Sequence, residues 1–365
     1  MISMSTASPV FLVGDSPSIN LLVKLPGTKC NLSCDYCFEH KKGISEIPGQ
    51  FVSAELIKRT ICDSDIPVNL VFHGGEPLLA SPSFFSSLLC SLRPIKNKIK
   101  AVQIQTNGTL LTQQFIDLFW GEFSDFSIEI SISLDGDARM NVFRKTHETE
   151  TFSKVMATFR LLDQNGISAG LLSVIHRNTL PLFKEYIDFI SSIPNVRFVK
   201  LNPLHLVSSR GDLLHHSIAP SEFALFVMNV FKRYIDLKLY ERFPMEPCLS
   251  IMQTLSGVDT HYCNYSNRKC SNFICLYPHG SLSLCDSLPF AEFSFSRLQE
   301  RKTKLYPIMP LLNECSRYSI NNFCKGGCLG IRYMLKKSSS LLNDYCESKR
   351  ILFEFFSHFI KEVQQ

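Results

Sequence analysis

Up to about residue 215 the chain alternates between short apolar runs rich in β-branched residues and longer segments whose apolar positions recur every three to four residues. A short apolar run bounded by turn residues marks a buried strand, and the longer period marks the stripe of an amphipathic helix. Strands are predicted at 20–25, 68–72, 101–105, 127–133, 169–175 and 196–201, with helices between them at 54–62, 82–92, 113–119, 152–165 and 180–191. Ser53 and Thr112 stand where helix N-caps belong, and Gly166 where a C-cap belongs. Six strands separated by helices imply a parallel α/β sheet with right-handed crossovers, either open or a partial barrel. Such sheets bind ligands at the carboxyl ends of their strands. Four motifs fall there: Cys30–Cys37 after the first strand, His73-Gly74-Gly75-Glu76-Pro77 after the second, Thr106-Asn107-Gly108 after the third and Leu134-Asp135-Gly136 after the fourth.

Beyond residue 215 the alternation stops. A helix is predicted at 220–240 and a closing amphipathic helix at 351–363, with cysteine-rich short runs between about 248 and 347. This divides the chain into an N-terminal extension (1–19), an α/β core domain (20–215), a bridging helical region (216–247), a cysteine-rich domain (248–350) and a C-terminal helix (351–365). The 365 residues are 45% hydrophobic and 19% charged, which excludes a disordered chain. The net charge of +5 forms no block; Lys41-Lys42 and Lys336-Lys337 read as solvated surface, so no nucleic-acid partner is expected. Residues 1–18 lack the basic and apolar regions of a signal peptide, and no apolar run reaches the roughly 18 residues of a membrane span. A cytoplasmic location without a membrane partner is the expectation.

Fourteen cysteines in a chain this long point to metal or cluster ligation rather than a disulfide scaffold. Three lie at 30–37 and nine after 247, while Cys62 and Cys90 sit in helix-like apolar stretches and are expected to pack in the core. Cys30, Cys34 and Cys37 bring three thiolates from one loop. A four-iron cluster takes four ligands, so three thiolates leave one iron open to an exchangeable ligand. Zinc is the competing reading. Zinc knuckles favour paired two-residue gaps, however, and here a three-residue gap precedes a two-residue gap.

With Tyr36 as its aromatic, this C-x-x-x-C-x-aromatic-C run resembles the radical S-adenosylmethionine superfamily, whose fold is a partial (β/α)6 TIM-like barrel. The resemblance implies a 4Fe–4S cluster on Cys30, Cys34 and Cys37, with S-adenosylmethionine chelating its open iron. Reductive cleavage then gives a 5′-deoxyadenosyl radical that abstracts a substrate hydrogen. It further implies that Gly74, Gly75, Glu76 and Pro77 bind the methionyl amino group, that Asn107, Ser133 and Asp135 lie near the ribose and carboxylate, and that Arg144 steadies the carboxylate. Without the resemblance, Gly74-Gly75 and Asn107-Gly108 read as tight turns.

The later cysteines resemble the SPASM domain of radical enzymes that modify peptides and proteins: Cys270 with Gly280-Ser-Leu-Ser-Leu-Cys285, then Cys315, Cys324-Lys-Gly-Gly-Cys328 and Cys346. The pattern implies one or two auxiliary clusters. Cys263, Cys270, Cys285 and Cys328 would hold the first, and Cys315, Cys324 and Cys346 the second. Tyr318 stands where the second cluster's remaining cysteine belongs. That leaves its closure to Tyr318, a neighbouring side chain, water or substrate, or leaves the cluster absent. Cys248 and Cys275 have no place in the pattern and read as buried thiols. Asp286 matches the catalytic Asp of the anaerobic sulfatase-maturating enzymes and is expected as general base. The favoured activity is oxidative modification of a ribosomally made precursor peptide, including cyclophane cross-linking, on the likeness of Leu134-Asp135-Gly136-Asp137 and Asn141-x-x-Arg144. The alternative is conversion of Cys or Ser to formylglycine in a sulfatase, on the likeness of Cys285-Asp286 and the Cys324–Cys328 run. A non-catalytic iron–sulfur or zinc protein would leave the strand-end motifs unexplained. Expected partners are the peptide or sulfatase and an electron donor such as flavodoxin or ferredoxin. With fewer than about 20 residues before the first strand, leader recognition would fall to the barrel rim, the 203–220 bridge or a separate protein.

Overall fold

The computed structural model describes residues 18–39, 50–145, 151–260, 262–270 and 273–364; Lys41-Lys42 lies outside them. β1 (Ile19–Lys24), β2 (Val68–His73), β3 (Ile99–Thr106), β4 (Ile128–Ser133), β5 (Ala169–Ile175) and β6 (Val196–Pro203) pair in that order, all parallel. The crossovers carry α1 (Ala54–Cys62), α2 (Pro82–Leu92), α3 (Gln113–Ile116), α4 (Thr151–Gln164) and α5 (Phe183–Ser191). This is the parallel α/β architecture that the strand–helix alternation predicts, in its partial-barrel form. Alternate strand positions such as Val23, Phe72, Ile104, Ile132, Leu171 and Val199 are buried against the helices, as the two-residue strand period requires.

Ser53 caps α1, its side chain accepting the Leu56 N–H at 3.2 Å. Thr112 occupies the N-cap position of α3 but makes no capping bond, and that helix continues as a wider π turn to Glu122. Cys62 and Cys90 are exposed, contrary to expectation. Each sits beside the buried stripe rather than on it: Ile57, Thr60 and Ile61 face inward from α1, and Phe85, Leu88, Leu89 and Leu92 from α2. Cys248 and Cys275 are buried, as expected.

The sheet does not end with the barrel. After α6 (Pro220–Asp236), β7 (Met245–Glu246) adds to β6, and α7 (Cys248–Leu255) follows. β8 (Phe273–Leu276) then pairs in parallel with β1 on its other edge, and β9 (Leu282–Ser283) and β10 (Ser294–Phe295) extend it antiparallel on either side of α8 (Phe290–Phe293). The described strands thus form one ten-stranded sheet in which β1, carrying the first cysteine loop, lies between the barrel and the cysteine-rich region. The chain finishes through α9 (Arg301–Leu305), α10 (Asn321–Cys324), α11 (Leu329–Leu335) and α12 (Ser339–Val363). α12 begins twelve residues before the predicted 351. Its buried stripe includes Ser348 and Lys349, polar residues that hide the period. Phe231 of α6 packs tilted against Phe356 and edge-on to Phe359 of α12, with ring centroids 4.6 and 5.0 Å away. Lys336 and Lys337 are exposed. Among the described residues no helix is long and apolar enough to cross a membrane.

The turn after β2 can be built only from glycine. Gly75 has φ +49°, and a Cβ there would lie 1.9 Å from the Lys29 carbonyl oxygen; one at Gly74 (φ +83°) would lie 2.3 Å from Lys24 Cδ. Close backbone approach thus brings this turn against the residues that lead into Cys30. Gly75→Ala is expected to destabilise the protein by about 1–3 kcal/mol, the usual cost of strained backbone with a clash. Anaerobic urea titration checks this; wild-type stability in the variant would show that the turn relaxes freely.

Candidate active site

Burial governs the thiols after β1. It pushes the Cys30 thiol up to about 11, against the Leu32 and Asn107 hydrogen-bond donors. It raises Cys34 too, against the Arg144 charge. Such thiols give up their protons when a metal binds them. Cys30 Sγ accepts from the Leu32 N–H (3.3 Å) and from Asn107 Nδ2 (3.6 Å), and Asn107 Nδ2 also donates to Asn31 Oδ1 (2.8 Å). The loop is strapped to the segment after β4, with Ser33 N–H donating to Lys145 O (2.7 Å) and Asp35 N–H to Phe143 O (3.0 Å).

Two buried carboxylates brace the rim. Glu76 accepts from Leu78 N–H (2.9 Å) and Thr106 Oγ1 (2.7 Å) on one oxygen and from Asn107 N–H (2.7 Å) on the other. Burial raises its pKa, and these donors partly offset that. Asp135 accepts from Tyr36 Oη on Oδ2 and from Val174 N–H (2.9 Å) on Oδ1, while Arg144 donates to Tyr36 Oη at 3.1 Å. Burial works against the Arg144 charge, but Tyr36, Asp135 and Cys34 outweigh it and raise its pKa. Tyr36, Asp135 and Arg144 therefore form one unit behind the cysteine loop. Ser133 ends β4, half-buried. Gly74, Gly75 and Pro77 form the turn beside them.

At the end of β1, Lys24 is 0% exposed. Its Nζ meets Asp286 Oδ1 at 2.5 Å, His73 Nδ1 at 2.8 Å, and Glu39. Lys24 and His73 are register partners across β1 and β2, and His73 Nδ1 lies 3.7 Å from Asp286 Oδ2. One ligand atom each from Glu39, His73 and Asp286 falls within 4.8 Å of the others, a set that could hold a metal ion. The Lys24 ammonium bonds to all three.

The later cysteines collect in two sets. Cys263 hydrogen-bonds with Cys328 and faces Cys285 and Cys270. The Cys263 thiol, with the Gly330 and Ile331 N–H groups and Lys269 beside it, holds the Cys328 thiol below its ordinary value against the effect of burial. Burial raises Cys270, and lifts Cys285 to about 11. Cys315 faces Cys324 and Cys346 across Arg332, whose guanidinium donates to Cys346 Sγ at 3.4 Å. Tyr318 is 63% exposed. Lys269 is buried between the sets, donating to the carbonyls of Cys263 (2.7 Å) and Gly327 (2.8 Å). Burial pulls it down to about 8, and the thiols facing it work the other way.

These residues fit S-adenosylmethionine and its cluster. The donor set is thiolate, and among the described residues Arg144 Nε and Asn141 Nδ2 are buried without a hydrogen-bond partner, as a site for a carboxylate requires. The family model "Radical SAM superfamily" matches residues 25–190. The chain is a radical S-adenosylmethionine enzyme. It is related to the cysteine-type anaerobic sulfatase-maturating enzyme of Clostridium perfringens (strain 13 / Type A), 26% identical over 93% of this chain and 96% of that one. The serine-type enzyme of Klebsiella aerogenes is 26% identical over 85% and 79%. A solved structure of anSMEcpe with bound AdoMet superposes with TM-score 0.80 at 25% identity, covering 94% of this chain and 98% of that one. Streptococcus suis SuiB bound to S-adenosylmethionine superposes at 0.58 with 15% identity over 89% and 75%, a likeness of fold.

Sequence reasoning missed Lys24, Glu39 and His73 in this radical enzyme. His73 opens one strand-end motif, and Lys24 and Glu39 flank another, yet only the fold shows that they meet Asp286. Removing the ammonium leaves two carboxylates in a buried site. Lys24→Met should therefore destabilise the protein by about 3–5 kcal/mol, and Glu39→Gln in the same chain should recover part of that. A double-mutant cycle by anaerobic denaturation reads the coupling, and additive losses would deny it.

Proposed function

We propose that this radical enzyme oxidises a cysteine or serine side chain of a sulfatase-type peptide to formylglycine. The observation that carries the reading is the reach of Asp286: it follows Cys285 of the first auxiliary set and ion-pairs with Lys24 at the end of β1. A carboxylate from the cysteine-rich region thus stands beside the radical-generating loop. Relatives named cysteine-type and serine-type sulfatase-maturating enzymes match most of the chain. Structures of one carry AdoMet with a Cp18Cys or Kp18Cys peptide.

When bound, the cluster and S-adenosylmethionine supply a 5′-deoxyadenosyl radical that takes one Cβ hydrogen atom. The thiol or hydroxyl must then lose a proton and the side chain an electron. Asp286 receives the proton, and Lys24 and His73 hold its carboxylate in place. Cys263, Cys270, Cys285 and Cys328 would hold the group that accepts the electron. Serine becomes the aldehyde directly; cysteine becomes a thioaldehyde, which water converts to the aldehyde with release of hydrogen sulfide. A ferredoxin or flavodoxin would supply the reducing electron at the start.

The residues that favoured peptide cross-linking serve the local turn instead. Asp137 accepts from the N–H groups of Arg139 (2.9 Å) and Met140 (3.3 Å), and Asn141 Oδ1 accepts from Asp135 N–H (3.2 Å). They favour neither substrate. The test is anaerobic turnover of a peptide with a sulfatase-type Cys motif, following 5′-deoxyadenosine and peptide mass. Formylglycine is expected. Loss of two hydrogens with blocked fragmentation, in a peptide encoded beside the gene, would replace this reading with cross-linking. Asp286→Asn should keep 5′-deoxyadenosine formation while formylglycine falls by at least about 100-fold; retained product would remove Asp286 from the chemistry.

A further inference from the structure

We propose that the Asn321 carboxamide, and not Tyr318, closes the second auxiliary cluster in the place of the missing cysteine. The proposal rests on the reading of Cys315, Cys324 and Cys346 as ligands of that cluster.

Tyr318 is 63% exposed. Its backbone is held by its own N–H to Cys315 O (3.1 Å) and by Asn321 N–H to its carbonyl (2.9 Å). Asn321 is the opposite case. It is 2% exposed, and both Nδ2 and Oδ1 are buried without a hydrogen-bond partner among the described residues. Each such orphan costs about 1–3 kcal/mol, so a native chain keeps a pair of them only where something else answers both. Asn321 and Cys324 are three residues apart in α10, which puts their side chains on one face, with Cβ atoms about 5–6 Å apart. A cluster held by Cys324 meets both needs there: an iron accepts the carboxamide oxygen, and a sulfide accepts the N–H.

Charge supplies an independent argument. Lys269, Arg332 and Lys349 are all buried. Thiols of the auxiliary sets face all three. Four thiolates on a doubly positive four-iron core leave the first cluster doubly negative. Three thiolates and a neutral amide leave the second singly negative. Three buried cations match that total, whereas an eighth thiolate or a phenolate would leave one negative charge over. A neutral oxygen ligand also makes the second cluster the easier of the two to reduce.

The test uses the full chain with Cys30, Cys34 and Cys37 changed to Ala, so that only auxiliary clusters load. Iron and sulfide are counted after anaerobic reconstitution, and the reduced clusters are followed by electron paramagnetic resonance and redox titration, with and without cyanide. The background protein should hold about eight irons, two four-iron clusters. In Asn321→Ala the second cluster's signal should shift and become sensitive to cyanide. Asn321→Cys should stay cyanide-resistant with a more negative midpoint potential, and Tyr318→Phe should match the background. About four irons in the background overturns the proposal, as does an Asn321→Ala protein with unchanged iron, spectrum and cyanide response. A shift in Tyr318→Phe gives the ligand to the tyrosine. Should Asn321→Ala fail to fold, an unchanged potential in Asn321→Cys overturns the assignment. Formylglycine formation is read separately in the wild type, so either reading can fail alone.

Discussion

An ammonium with no access to water cannot stay charged without counter-charges at hydrogen-bond distance. Lys24 is that ammonium, and its needs determine the arrangement around the end of β1. It draws in Glu39 from beyond the first cysteine loop, His73 from the end of β2 and Asp286 from the cysteine-rich region. His73 and Asp286 come from segments far from Lys24 in sequence. A buried ion pair is weak evidence for net stability, because desolvation cancels much of the attraction. It is strong evidence for position, since any displaced partner leaves a buried charge unanswered.

The same logic runs along the rim. Glu76 spends its oxygens on donors from β3 and its own turn, and Asp135 is held by Tyr36 and the backbone of β5. Both carboxylates are satisfied by neighbouring segments, so they are oriented before any cofactor arrives. Preorganised networks of this kind are rigid because a half-satisfied member is costly in a low dielectric. Arg144 shows the consequence: its NH1 is engaged by Tyr36, while Nε is left buried and open to a ligand.

Much of this was legible in the sequence wherever one local rule decided the outcome. α1 and α2 match their predicted bounds residue for residue because cap, period and terminator agree, and the six barrel strands follow from apolar runs between helices. The strand-end rule then placed Cys30, Glu76, Asn107 and Asp135 on one rim. Long-range pairing was not legible. β8 is four residues with no period of its own, and nothing local shows that it joins β1 rather than a separate small core. Lys24, Lys269, Arg332 and Lys349 carry no local signal of burial. Their burial makes sense only through carboxylates and thiols that other segments bring. Asn321 carries no sequence signal at all until its burial and its missing partners are seen together.

In the proposed reaction the substrate side chain loses a proton and an electron by separate routes, and the two must leave in step. Consecutive residues would serve them: Asp286 would take the proton, while Cys285 faces Cys270 and Cys328 in the set that would take the electron. One peptide bond joins the two routes at the point where the cysteine-rich region meets the barrel. Because Asp286 is clamped by Lys24 of β1, and β8 is paired to β1 directly, the electron acceptor cannot drift without moving the base. A second cluster with a neutral ligand would then draw the electron onward from the first. Fewer thiolates on the second cluster would favour that direction of flow, as would Lys269, which faces cysteines of both sets.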